Sequence, residues 1–220
     1  DEGKGGVTKG RAWMVYDHDT MRVAAATTGS FVDWKGIAFD GSHGTHTRLT
    51  GERQFVLPAE PGWAVEGFED SRSAAKDGRR YGPVKGLRFL GLYRNGAQSV
   101  IAAMIHGTRV LESPALIDYG AAPVFVRTIN VGEAPRSLRL RVAPEGVSVV
   151  LKGDGALRSE GGFWVAEFPG GAKARLFISR TDEVSLETLA RGFSPSLDLS
   201  PLINGGEAQW VQAVETQTVS

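Results

Sequence analysis

Two apolar runs, LRFLGLYR over residues 87–94 and QSVIAAMIH over residues 98–106, stand on either side of Asn95-Gly96. Asn-Gly between apolar runs is the strongest short signal of a β-hairpin, since both residues accept the positive φ of a type I′ turn. Residues 100–105 are apolar at every position. That predicts a central strand buried on both faces rather than a half-wet one.

The same grammar recurs along the chain. Its 29 glycines and 10 prolines punctuate short segments rich in β-branched and aromatic residues, the pattern of an all-β sandwich or barrel. Residues 11–17 (RAWMVYD) and 21–28 (MRVAAATT) read as two strands around His18-Asp19-Thr20, which supplies turn chemistry. Residues 137–142 (SLRLRV) alternate: Leu138, Leu140 and Val142 face one way, Arg139 and Arg141 the other, toward solvent or a partner. Residues 124–131 are expected to pair with them through a turn at 132–135. Residues 163–168 and 173–179 are expected to form a hairpin around Pro169-Gly170-Gly171. One segment departs from the pattern. Residues 181–192 read as a short helix near 182–191, with Thr181 or Asp182 as cap, acidic residues in its first turn and Arg191-Gly192 at its end. Residues 58–83 form a long irregular excursion holding Trp63, Phe68 and Tyr81, and excursions of this length are usually functional or disordered. The expectation is an antiparallel β-sandwich, with the super-sandwich of mutarotase-like domains as an analogy. A single domain is expected to fill residues 1–220.

Charge and composition remove whole classes of function. The 25 basic residues balance 25 acidic ones, so the electrostatic footprint of a nucleic-acid binder is missing. With no cysteine, thiolate catalysis, Cys-ligated zinc, iron–sulfur clusters and C-x-x-C-H haem attachment are excluded for this chain. No apolar run is long enough to span a bilayer. No Walker loop, G-x-G-x-x-G, G-x-S-x-G or H-E-x-x-H occurs. The reading therefore assigns no cofactor and no metal to the chain. It opens DEGKGG without an initiator Met and closes AQWVQAVETQTVS, which reads as a strand running off the end. An excised or processed piece of something longer is expected.

Candidate chemistry concentrates in residues 31–51, FVDWKGIAFDGSHGTHTRLTG. His43 and His46 stand there beside Trp34 and Asp40. Histidines can transfer protons or ligate, Asp40 brings charge, Trp34 a stacking face, and the glycines close backbone approach to a ligand. The plainer reading is a Gly-rich loop whose histidines bond to backbone. Asp17-His18-Asp19 flanks an imidazole with carboxylates, which favours its charged form and suits general acid–base work; a tight turn asks for the same residues. Trp34, Trp63 and Tyr81 fall in loops, where exposed rings could stack on a sugar; plugging the end of the sandwich is the alternative. His106 and Glu112, separated by a Gly107-Thr108 turn, are expected to lie close enough for a structural hydrogen bond. The basic run Arg72, Lys76, Arg79, Arg80, Lys85 and Arg88 reads as a solvated surface.

The strings GRAWMVYDHDTMRVAAATTG, DWKGIAFDGSHGTHTRLTG, DGRRYGPVKGLRFLGLYRNG and VLESP together resemble a domain of unknown function from large exported bacterial multidomain proteins. There it adjoins a β-propeller resembling sugar or sorbosone dehydrogenases and cytochrome c modules. The resemblance covers most of the chain and carries no assigned activity or catalytic residue. It departs at residues 84–91, where the family pattern holds a longer segment with an aromatic residue. It implies a periplasmic or extracellular location, neighbouring domains as partners, and electron transfer only outside this chain. Three readings follow. The first is a non-catalytic binding or scaffolding module of a redox or carbohydrate-related protein, with Asp17, His18, Trp34, Asp40, His43, His46 and Tyr81 as candidate ligand-binding residues. The second is a carbohydrate-active enzyme using His18, His43, His46 or His106 with nearby carboxylates. The third is a metal-stabilised structural domain.

Overall fold

A computed structural model describes residues 10–33, 48–119 and 122–204. The chain begins with a hairpin of β1 (Ala12–Asp17) and β2 (Arg22–Thr28). The two-residue strands β3 (Val32–Asp33) and β4 (Arg48–Leu49) pair with each other. β5 (Glu52–Val56) then returns beside β2, completing a sheet in the order β1-β2-β5. The short β6 (Trp63–Ala64) lies within the excursion. A meander follows: β7 (Leu87–Asn95), β8 (Gln98–Ile105), β9 (Thr108–Tyr119) and β10 (Ala122–Val131). The last strands are β11 (Leu138–Pro144), β12 (Ser148–Gly153), β13 (Ala156–Glu160), β14 (Phe163–Phe168) and β15 (Lys173–Ser179). They are distributed over a six-stranded sheet, β12-β15-β10-β9-β8-β7, and a four-stranded one, β13-β14-β11-β6. All pairing among the described strands is antiparallel.

The core lies between the six-stranded sheet and the two smaller ones, and period-2 alternation fills it. Leu138, Leu140 and Val142 face inward against Phe125, Ile129, Leu176 and Ile178, with Val23, Ala26 and Phe55 from the first sheet. Each fully buried side chain of this size is worth roughly 2 kcal/mol of transfer free energy. The outer face of the six-stranded sheet is covered too. Helix α1 (Glu183–Arg191) lays Leu186 and Ala190 on Val124, Val126 and Phe177. A 3₁₀ turn, Ser200–Ile203, follows Leu199, which packs on Val100, Ala102 and Leu111. The helix starts where the Asp182 side chain accepts from the Ser185 N–H at 2.9 Å, and Gly192 ends it. Asp182 is therefore the cap among the two expected candidates.

Both expected late hairpins are arches instead. β10 and β11 belong to different sheets, and so do β14 and β15. Residues 124–131 pair with β9 and β15, not with residues 137–142. Residues 163–168 pair with β11 and β13, not with residues 173–179. The two arches hold each other: Gly171 N–H donates to Gly132 O at 3.0 Å, and Val131 N–H to Ala172 O at 2.8 Å. A Cβ on Gly170 would sit 2.5 Å from the Ala134 nitrogen, so glycine there serves contact between arches rather than a hairpin turn.

The hairpin at Asn95-Gly96 exists with its turn one residue later. Asn95 pairs with Gln98, leaving Gly96-Ala97 as the loop. Of the two only Gly96 has positive φ, +58°, the pattern of a type II′ turn. The type I′ pattern falls at His106-Gly107, where φ is +47° and +87° between the paired Ile105 and Thr108. The expected proximity of His106 and Glu112 therefore fails: His106 is exposed in the turn with its imidazole against Gly86, while Glu112 lies along β9, opposite Ile101. β8 is next to the edge strand β7 rather than central. Ile101 faces the core, Val100 and Ala102 are buried on the other side, and Met104 is only half-buried.

Candidate functional site

Arg139 and Arg141 alternate outward from β11, and the excursion folds back over them. Gly62 makes this possible. Its N–H donates to Thr20 O at 2.8 Å, its carbonyl accepts from Arg141 N–H at 2.9 Å, and a Cβ there would meet Arg22 Cα at 2.6 Å. The neighbouring Trp63 is 2% exposed and packs on Phe168 at 6.0 Å between ring centroids. Trp63 is thus a core residue, not a member of an exposed aromatic platform. Five residues further on, Phe68 lies over both arginines, 5.3 Å from Arg139 Cζ and 4.7 Å from Arg141 Cζ. Phe163 of β14 takes the Arg141 guanidinium from another side, at 4.8 Å. Arg141 is thereby held by two rings and by Glu60, which accepts from Nη1 at 2.7 Å. Cation–π contacts of this kind strengthen as water is withdrawn.

Around this arginine opens a cleft of about 1030 Å³, lined by Glu60, Phe68, Asp70, Arg80, Tyr81 and Phe163 among others. Tyr81 is 63% exposed, and its hydroxyl donates to Asp77 Oδ2 at 2.7 Å. Asp70 and Arg72 form a two-pronged ion pair, Nε to Oδ1 at 2.9 Å and Nη2 to Oδ2 at 2.7 Å, with both side chains largely buried. Arg72 is therefore not part of a solvated basic surface. Hydrogen bonds from Arg72 hold the Asp70 carboxyl below its ordinary range, against the opposing effect of burial. A hydrogen bond from Arg139 does the same to Glu160. Both groups are anchored acceptors. A general acid needs the opposite shift.

Of the candidate residues from the sequence, Tyr81, Asp17 and His18 are described, and Tyr81 stands apart from the other two. Tyr81 lines the cleft. Asp17 and His18 sit at the β1–β2 turn, outside the cleft lining. Asp17 accepts from Asp19 N–H at 3.0 Å and from Arg22 Nε at 3.2 Å. Burial raises its pKa, but hydrogen bonds from Thr20 and Asp19 and the charge of Arg22 outweigh that and lower it. The His18 side chain is 72% exposed, 3.6 Å from Asp19 Oδ1 and edge-on to Phe89. Trp34, Asp40, His43 and His46 lie outside the described residues. Among the described residues no group of three or more His, Asp or Glu side chains gathers as a metal set, and no helix is long and apolar enough to cross a membrane.

Phe68, Glu60, Arg141, Phe163 and Glu160 were not singled out from the sequence as site residues. The outward alternation of Arg139 and Arg141 was readable there. That Phe163 would stand beside them required the pairing of Arg141 with Val165 across a bulge, which no local pattern announces. No curated protein and no solved structure matches the chain. One family model does match, and by its description a domain of unknown function, DUF6797, is found at residues 14–112.

Proposed function

We propose that the chain is a non-catalytic binding or scaffolding module of a larger exported protein, and that its ligand is a neutral carbohydrate held in the Arg141 cleft. The observation that carries this reading is the lining itself. An exposed Tyr81 ring stands beside Phe68 and Phe163, with charged side chains of both signs already fixed by their partners. Sugar rings offer apolar C–H faces to an aromatic ring and hydroxyls to carboxylates and guanidinium groups. Mixed charge favours a neutral glycan over a polyanion. Asp70 and Glu160, held ionised by arginines, suit hydroxyl recognition rather than proton delivery to a leaving group.

The context is carried by the resemblance of the quoted strings to domains of exported multidomain proteins. It supports a module of the periplasm or the cell exterior, with a sugar-dehydrogenase-like β-propeller and cytochrome c modules as proposed covalent neighbours. The test is calorimetric titration with neutral gluco-, xylo- and galacto-oligosaccharides on the chain and on Tyr81→Ala. Heat from one of them, lost in Tyr81→Ala at unchanged melting temperature, supports the cleft. Absence of heat from every sugar leaves a scaffold without a carbohydrate ligand. Release of new reducing ends during incubation would favour a carbohydrate-active enzyme instead.

A further inference from the structure

β7 ends the six-stranded sheet, and no described strand pairs with its outer side. Edges of this kind are normally blunted, because their unpaired N–H and C=O groups template another strand. β7 runs for nine residues; Leu87 is buried and Tyr93 half-buried, but Phe89, Leu90 and Leu92 are exposed. Phe89 and Leu92 sit opposite Ala103 and Ile101, whose side chains enter the core. Yet Phe89 is 41% and Leu92 63% exposed. The apolar inner face continues past the last element that covers it.

The outward backbone positions follow from the turn. Asn95 and Gln98 close a two-residue loop, so they form a hydrogen-bonded pair, and such pairs alternate along an antiparallel ladder. Tyr93 and Gly91 then bond to β8, while Leu92 and Arg94 turn their N–H and C=O groups away from it. Charge narrows the occupant further. Arg88 and Arg94 are exposed near the two ends of the strand, Lys85 is exposed just before it, and none of the three has an ion pair among the described residues. An antiparallel pairing of β7 with a second copy of itself, centred on Gly91, would set the Arg88 end of one strand against the Arg94 end of the other. Like charges facing across strands are unfavourable.

We infer that the free edge of β7 accepts an extended segment of another polypeptide, apolar at alternate positions and acidic at both ends, as a seventh strand of the sheet. Backbone bonding at Leu92 and Arg94 supplies the affinity, and Phe89, Leu92, Arg88 and Arg94 select the partner. The inference stands apart from the cleft and its ligand.

The test uses the full chain and a capped synthetic peptide, Asp-Val-Thr-Val-Thr-Val-Thr-Asp, with two controls. One control carries Lys in place of both Asp residues; the other is N-methylated at alternate backbone nitrogens. The acidic peptide is expected to bind and to slow hydrogen exchange at the Leu92 and Arg94 amides, which should exchange freely in the chain alone. Both control peptides should bind about tenfold more weakly or worse. Leu92→Pro, which removes one outward N–H, and the double change Arg88→Glu, Arg94→Glu should each weaken the acidic peptide similarly. If Leu92→Pro does not fold, the N-methylated peptide asks the same question. No binding, or equal binding of the three peptides, overturns the inference. So does protection of Leu92 and Arg94 without peptide: with dimerisation in sedimentation it assigns the edge to a second copy, and in a monomer to the chain itself.

Discussion

Arg127 of β10 grips Glu112 of β9 with two parallel hydrogen bonds, Nε to Oε1 at 2.6 Å and Nη2 to Oε2 at 2.9 Å. The Arg127 side chain is fully buried and that of Glu112 nearly so. Tyr16, arriving from the first sheet, donates its hydroxyl to the same Oε1 at 2.6 Å. Three strands from two sheets are thus tied through one carboxylate. Removing one partner leaves the other charge buried, so Arg127→Met is expected to cost about 3–5 kcal/mol. Arg127→Met combined with Glu112→Leu should cost less than Arg127→Met alone. Urea unfolding of the wild type and the variants checks both.

The same cluster should make stability fall in alkali. Burial first, and then the negative charge of Glu112, push the Tyr16 hydroxyl well above its ordinary value, with Arg127 opposing. A raised folded-state pKa means that this contribution is whole below the unfolded value, about 10 for tyrosine, and lost as pH rises above it. Stability should fall above that pH, and Tyr16→Phe should fall less steeply. Melting temperatures across the alkaline range measure the difference in slope.

At the acid end Asp198 is the group to watch. Its Oδ1 accepts from the Ser200 N–H at 3.0 Å and its Oδ2 lies 3.0 Å from Lys173 Nζ. The Ser200 N–H first, and then Lys173, pull its pKa from 3.8 down to about 2. The contribution is therefore present above the unfolded value and is lost as pH falls through the folded one. The carboxyl carbon of Asp198 should titrate with a midpoint near 2. Any deficit in the melting temperature of Asp198→Asn near neutral pH should vanish in stronger acid.

Gly170→Ala should destabilise by about 1–3 kcal/mol, since overpacking against a rigid neighbour costs that much. The added Cβ would meet the Ala134 nitrogen at 2.5 Å and its carbonyl oxygen at 2.6 Å. Backbone cannot rotate aside as a side chain can. Denaturant titration of this variant beside Gly146→Ala, where a Cβ meets nothing, gives the comparison.

Strand existence was legible because period-2 alternation is local. Leu138, Leu140 and Val142 are buried, and Arg139 and Arg141 lie on the other face. The cap at Asp182 was legible for the same reason. Pairing was not. Pro169-Gly170-Gly171 has hairpin composition, yet the flanking strands part to different sheets because Phe168 and Leu176 fill one core from opposite sides. The turn at Asn95-Gly96 was misplaced by one residue, since Gly96 satisfies a type II′ loop as readily as a type I′ one. Of the site, Tyr81 was legible as an aromatic residue in a long excursion. The trap around Arg141 joins residues 60, 68, 141 and 163, and only the sheet order brings them together.

The arches carry one more consequence. Because the chain changes sheets after β10 and again after β14, both larger sheets depend on strands beyond residue 112. The family match stops at that residue. It covers β7 and β8 but leaves out β10 and β15, the strands that carry much of their sheet's buried face; of the four-stranded sheet it contains only β6. The shared stretch is therefore a boundary of sequence likeness and not of folding. Cut there, it would keep an edge and lose the middle, so a shorter fragment ending at 112 has no closed interior to fold around.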